Sequence, residues 1–258
     1  MMRSWKVKKK LGEGGCRAVY KVRNLHTLEK AALKAESNFV EGGSVLKIEV
    51  DILTRLTGKK HVTQLKDLAK NDRFHYMVMS LLGESLNTLL KRCNRTVTVS
   101  TQLHIGLHVL HGLKQVHDSP STDPNIIHIL DFGLSREFIC KDKGETVLRK
   151  PRARTHYRGT PKFCSIAAHE KKDQGRESTE IMELKCKTTD QELLSKCSPQ
   201  LMAFADHLRN LDYWTRPDYK MLYNILMDAM HEGGHKYSDP WDWEMLAESI
   251  KGKPTEKM

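Results

Sequence analysis

The sequence predicts an α+β fold, with a strand-rich first third that holds one helix and a mainly helical remainder. Three observations predict it. From Trp5 to about Lys34, short apolar runs alternate with glycine and polar residues, the pattern of strands joined by tight turns. At Val45 the period changes: Val45, Glu49, Ile52, Leu53 and Leu56 fall on one helical face. After Phe74–Leu82 (FHYMVMSLL), a run of buried-strand composition, helical spacing dominates. Thr101–His117 carries an apolar stripe of Leu103, Leu107, Leu110, Leu113 and Val116. Cys140–Arg158 reads as an exposed irregular loop, basic at Arg149, Lys150, Arg152 and Arg154. Glu180–Cys197 is weakly helical, while Leu201–Leu211 and Tyr219–Met230 are firmer helices parted by a turn at Arg216-Pro217-Asp218.

The chain has 258 residues, 39% hydrophobic and 29% charged, enough for one large domain or two lobes and unlike a disordered segment. Residues 1–10 hold no apolar run, and nowhere do eighteen apolar residues follow one another, so a soluble intracellular protein is expected, in the cytoplasm with the nucleus as a second compartment. Six cysteines without paired ligand spacing read as reduced thiols. The net charge of +11 points to anionic partners or simply to a basic solvated surface.

The strongest motif is LGEGGCRAVYKV, from Leu11 to Val22. Gly12, Gly14 and Gly15, flanking Glu13 between two strands, let backbone amides approach a polyphosphate that a side chain would push away. Downstream, Lys34 ends an apolar strand that includes Ala32, and Glu49 lies fifteen positions further on, on the apolar face of a helix. A carboxylate there is costly unless paired, and Lys34 is its natural partner. Such a lysine–glutamate pair matches the device that orients ATP phosphates in phosphoryl transfer. Asp131-Phe132-Gly133 follows the apolar run Ile126, Ile127, Ile129 and Leu130, which suits an aspartate that presents its carboxylate to Mg²⁺.

In this order the parts resemble protein kinases. ALKAES, VLKIEVDILTRL, DRFHYMVMSLLGESLNTLL and YRGTPKFCSIAAHE are similar to the casein kinase 1 group, and LDYWTRPDY with SDPWDWE resembles its tau-tubulin kinase and worm-type branch. The resemblance implies a bilobal fold: a β-rich N-lobe and hinge over residues 5–82, a truncated mainly α C-lobe over 83–245, and a tail over 246–258. It implies that ATP and Mg²⁺ bind between the lobes against Leu11, Gly12, Glu13, Gly14, Gly15, Val19, Ala32 and Lys34. Met79 would be the gatekeeper, Ser80 and Leu82 would meet the adenine, and Asp131 would hold the metal. Family activity is transfer of the ATP γ-phosphate to protein serine or threonine, by a chain expected to be a monomer.

Two segments depart from the family. The loop H-R-D-x-x-x-x-N belongs between the helix ending LKQVHD and Asp131; here Asp118 and Asp131 are separated only by SPSTDPNIIHIL. The aspartate that accepts the substrate's proton and the asparagine that holds a second Mg²⁺ are therefore absent. Asp123 and Asn125 have the right chemical groups, but lie in a segment with two prolines that also supplies the strand before Asp131. After Gly175-Arg176, the helix that braces that loop is replaced by ESTEIMELKCKTTDQELLSKCSPQ. Arg17 stands where a third glycine is expected. Three readings follow: an active kinase, a non-catalytic nucleotide-binding or scaffolding pseudokinase, and the product of an incomplete gene from an active kinase.

His104, His108 and His111 share one helical face without a carboxylate or cysteine at fitting spacing, so a solvated face is expected rather than a metal site. Arg154, Arg158 and Lys162 offer cations for an acidic or phosphorylated protein substrate or scaffold partner, with a solvated loop as the alternative. Interleaved aromatics for base stacking are lacking, which argues against nucleic-acid binding.

Overall fold

The computed structural model describes residues 4–14, 17–39, 44–118, 139–142, 145–148, 150, 160–166, 176–212 and 214–251. Compactness divides the chain into two units, Met1–Gly133 with Gly233–Met258, and Leu134–Glu232.

The first unit is built on a five-stranded antiparallel sheet of β1 (Trp5–Gly14), β2 (Arg17–Asn24), β3 (Lys30–Ser37), β4 (Leu65–Lys70) and β5 (Phe74–Ser80), in the order β1-β2-β3-β5-β4. Strand alternation assigns its two faces. Trp5, Val22, Ala31, Leu33, Tyr76 and Val78 form a buried cluster on one, where the Trp5 indole donates to Asp67 Oδ2 at 2.8 Å. Met77 and Met79 belong to the other face, which is covered by helix α1 (Val45–Arg55) through Leu46 and Leu53, both 1% exposed. Two leucines buried so fully contribute about 1.5–3 kcal/mol each, enough to hold an eleven-residue helix that is too short to persist alone. Ser44 caps it, its Oγ accepting from Lys47 N at 3.1 Å.

Helix α2 (Leu86–Arg92) and the long helix α3 (Val99–Asp118) follow. Leu103, Leu107 and Leu110 are buried as expected, whereas Leu113 is 43% exposed. The segment Lys236–Trp241 lies along α3: Ser100 Oγ donates to Asp239 Oδ2 at 3.0 Å, and Thr98 N and Oγ1 donate to Asp242 of helix α8 (Asp242–Lys251). The expected solvated histidine face is incorrect for two of its three members. His104 and His108 are 3% and 6% exposed, packed against Tyr237 and Trp241. Aromatic residues more than 120 positions away cover them, which helical periodicity within α3 has no means to register.

In the second unit, part of the segment expected to be an irregular loop is a hairpin, β6 (Ile139–Asp142) with β7 (Glu145–Leu148). The alternation is weak there and the basic run obscured it. The helix expected over Glu180–Cys197 forms as two, α4 (Arg176–Lys187), which starts earlier, and the four-residue α5 (Asp190–Leu193), started by a capping box between Thr189 and Glu192. Helices α6 (Leu201–Arg209) and α7 (Tyr219–Glu232) lie where they are expected, α7 burying Leu222, Leu226 and Met230. No described helix is long and apolar enough to cross a membrane.

Candidate nucleotide site

The register of the sheet brings the sequence-marked residues together. Gly12 pairs with Val19, and Val19 with Lys34, so the three form one row across β1, β2 and β3. Ala32, two residues before Lys34 on β3, pairs with Met79 on β5. Directly opposed and i, i+2 positions share a face, so Val19, Ala32, Lys34 and Met79 stand on the face that α1 covers further along. Leu11, Gly12 and Glu13 are exposed at the end of β1, where Gly14 pairs with Arg17 and closes the hairpin.

Lys34 Nζ donates to Glu49 Oε2 at 2.6 Å. Lys34 is 7% exposed and Glu49 2%. The strand fixes one partner and the amphipathic face of α1 the other, and neither buried charge is tolerable without its counterpart. The pair expected from sequence is formed.

Around it lies a second polar network that sequence reasoning did not mark. Glu36, two residues beyond Lys34 and 1% exposed, accepts at Oε2 from Ser44 Oγ at 2.7 Å and from Leu46 N at 3.2 Å. His75, its cross-strand partner, lies 3.0 Å from the same oxygen through Nε2 and 3.0 Å from Asn38 Oδ1 through Nδ1. A carboxylate facing the positive end of α1 suits the helix dipole. The signal was present: Glu36 shares the period of Lys34 on an otherwise apolar strand, so the same cost of burial that singled out Glu49 applied to it.

At the end of β5, Ser80 N donates to Gln64 O at 2.9 Å, and Ser80 Oγ accepts from Gln64 N at 3.2 Å. Leu82 follows in a half-buried, irregular stretch before α2, with no hydrogen bond from its backbone to another described residue. Lys162 sits exposed in a turn of 3₁₀ helix, Pro161–Phe163, its Nζ 5.9 Å from the Phe163 ring centroid. Gly15, Asp131, Arg154 and Arg158 lie outside the described residues. Among the described residues, no cluster of three or more histidine, cysteine or acidic side chains is arranged to hold a metal.

A five-stranded sheet with one helix after its third strand, bearing a buried lysine–glutamate pair beside a glycine turn, defines a kinase-type N-lobe. Residues 5–165 match the protein kinase domain family, and the chain belongs to it. It is 38% identical to a putative serine/threonine-protein kinase of Caenorhabditis elegans, over 93% of this chain and 82% of that protein. It is 22% identical to a casein kinase I homolog of Kluyveromyces lactis (94% of this chain, 54% of that protein) and 25% identical to an inactive tau-tubulin kinase of Caenorhabditis elegans (71% and 80%). The chain is thus a serine/threonine protein kinase-like domain related to the casein kinase 1 and tau-tubulin kinases, a family that generally uses ATP and Mg²⁺.

Proposed function

We propose that this chain binds Mg-ATP in its N-lobe but transfers no phosphate, acting as a pseudokinase toward acidic or phosphorylated protein partners. The formed, buried Lys34–Glu49 pair carries the nucleotide reading, because it places an ammonium beside the glycine turn at Gly12 and Gly14. Those glycines would accept the phosphates on backbone N–H groups, Lys34 would bind an α- or β-phosphate oxygen, and the carboxylate of Asp131 would take the magnesium. Ser80 and Leu82 would meet the adenine behind Met79. When bound, the magnesium neutralises charge between phosphate oxygens.

The inactive reading rests on the chemistry that is missing. The sequence has no H-R-D aspartate to accept the hydroxyl proton, and a general base displaced by even about 1 Å loses on the order of a hundredfold in rate. One similar protein is itself named an inactive tau-tubulin kinase. A purified chain incubated with Mg-ATP and casein or tubulin should show no phosphorylation above that of an Asp131→Asn control; activity that depends on Asp131 overturns this reading. Saturating Mg-ATP should raise the melting temperature, and a folded sample without that shift removes the nucleotide reading.

A second reading has its own observation. The alignment with the 38%-identical worm kinase runs over 284 positions, more than this chain's 258 residues, so the relative has internal residues without counterpart here. Clean loss of two blocks between intact motifs fits missing coding segments of an active kinase. Sequencing the transcript across the Asp118/Ser119 and Arg176/Glu177 junctions decides between them: segments found there restore the active kinase.

A further inference from the structure

The turn that joins β2 to β3 holds two leucines out in solvent. Residues 25–30 are all exposed, Leu25 by 51% and Leu28 by 56%. The turn is nonetheless well tied. Asn24 Oδ1 accepts from His26 N at 2.9 Å and from Thr27 N at 3.0 Å, Asn24 N donates to Glu29 O at 2.8 Å, and Arg23 Nε donates to Leu28 O at 3.2 Å. These bonds hold Leu28 at φ 61°, in the left-handed region that disfavours leucine and suits glycine or asparagine. Stability alone does not account for a leucine at this position.

Positive charge lies immediately behind the leucines. Arg23 comes two residues before Leu25, and Lys30 two after Leu28. The register sets Arg23 and Lys30 directly opposite each other and Lys6 opposite Arg23, so three cations cross β1, β2 and β3 in one row. Lys8 adds a fourth exposed cation at the irregular step between Val7 and Lys9. Like charges directly opposed across strands repel, and among the described residues none of the four meets a carboxylate. Glu29, the acidic residue of the turn, is taken by Lys66 Nζ at 2.5 Å, and Asp67 accepts from the Trp5 indole. This end of the sheet therefore joins two exposed apolar side chains to positive charge that no neighbour neutralises.

We propose that this turn docks the chain on an anionic membrane surface, resting on the bilayer without spanning it. Leu25 and Leu28 enter the interfacial layer, while Lys6, Lys8, Arg23 and Lys30 face the lipid phosphates and carboxylates. The combination selects this occupant. A soluble acidic segment would neutralise the row but leave both leucines in water. A second copy would bring the same four cations against these, and a nucleic acid would meet leucines where base stacking needs aromatic rings. At an anionic interface the opposed cations are relieved and the leucines gain burial. Docking does not rest on the nucleotide reading, since it is measured without nucleotide.

The test is flotation of the full chain with vesicles of phosphatidylcholine containing about 30% phosphatidylserine, against vesicles of phosphatidylcholine alone. The chain should float with the anionic vesicles, lose that binding as salt rises, and stay behind with the neutral ones. Leu25→Ser with Leu28→Asn should weaken the partition at least about tenfold while holding or raising the melting temperature, because asparagine suits the left-handed turn. Arg23→Glu with Lys30→Glu should cost a similar factor, whereas Lys91→Glu with Lys220→Glu, the same charge change at exposed positions on α2 and α7, should leave binding within about threefold. Circular dichroism checks that each variant folds. No flotation overturns the proposal, and so does flotation indifferent to the leucines, which shows a nonspecific basic surface. A glutamate-rich peptide bound more tightly than the anionic vesicles, and lost in the same variants, assigns the turn to a protein partner and overturns it equally.

Discussion

Replacing Lys34 by methionine leaves Glu49, 2% exposed, without the ammonium that lies 2.6 Å from its Oε2. Removing one partner of such a buried pair costs about 3–5 kcal/mol, because the abandoned charge remains desolvated. Against a total stability of roughly 5–15 kcal/mol, that is a large share, and for a chain of this size it lowers the melting temperature by on the order of 10 °C. The double substitution Lys34→Met with Glu49→Leu removes both charges and refills the space with apolar atoms, so it should return stability to near the starting value or above it. Urea unfolding of the chain, both single variants and the double variant closes the cycle and isolates the coupling between the two sites. Single variants that each cost under about 1 kcal/mol and simply add would show a solvated pair and refute the reasoning. The double variant, restored in stability, should still give no Mg-ATP shift, which separates the pair's two roles.

Three further outcomes follow from the same structure. Ser44→Ala removes the α1 cap and a donor to Glu36, and should cost about 1–2 kcal/mol by urea unfolding, more than Ser85→Ala at the exposed start of α2. Among the described residues His104 Nε2 is buried with no hydrogen-bond partner, so His104→Phe, which keeps the ring and removes the polar atom, should hold or raise the melting temperature, whereas His104→Ala should lower it by opening space beside Tyr237 and Trp241. Burial, aided by Lys114, pushes the His111 imidazole below its usual value. Its neutral form is favoured on folding, so its contribution is complete above the unfolded value near pH 6.5 and is lost as pH falls toward the lower folded value; thermal melts from pH 7.5 to 5 should show a loss that His111→Gln reduces.

Glycine spacing, one lysine and one glutamate sufficed to mark Gly12, Lys34 and Glu49, because a charge on an apolar face needs a partner wherever it lies. Glu36 follows the same rule, but nothing in its own strand indicates that Ser44 and His75 close around it. His104 and His108 went the other way. On α3 alone they occupy a polar stripe, and their burial is imposed by Tyr237 and Trp241, which arrive from the far end of the sequence.

What the sequence determined by itself is therefore local and periodic: strands and helices, the glycine turn, the order of motifs that marks a kinase lineage, and the absence of an H-R-D aspartate, which no folding supplies. Tertiary structure decided the rest. It closed the Lys34–Glu49 pair at 2.6 Å, set Glu36 at the start of α1, buried two histidines beneath a distant aromatic segment, and brought cations of β1, β2 and β3 into one row. The physical reason is the range of each signal. Backbone preference and side-chain period act over a few residues and are written along the chain, whereas burial and pairing depend on which surfaces meet after the chain has turned back on itself.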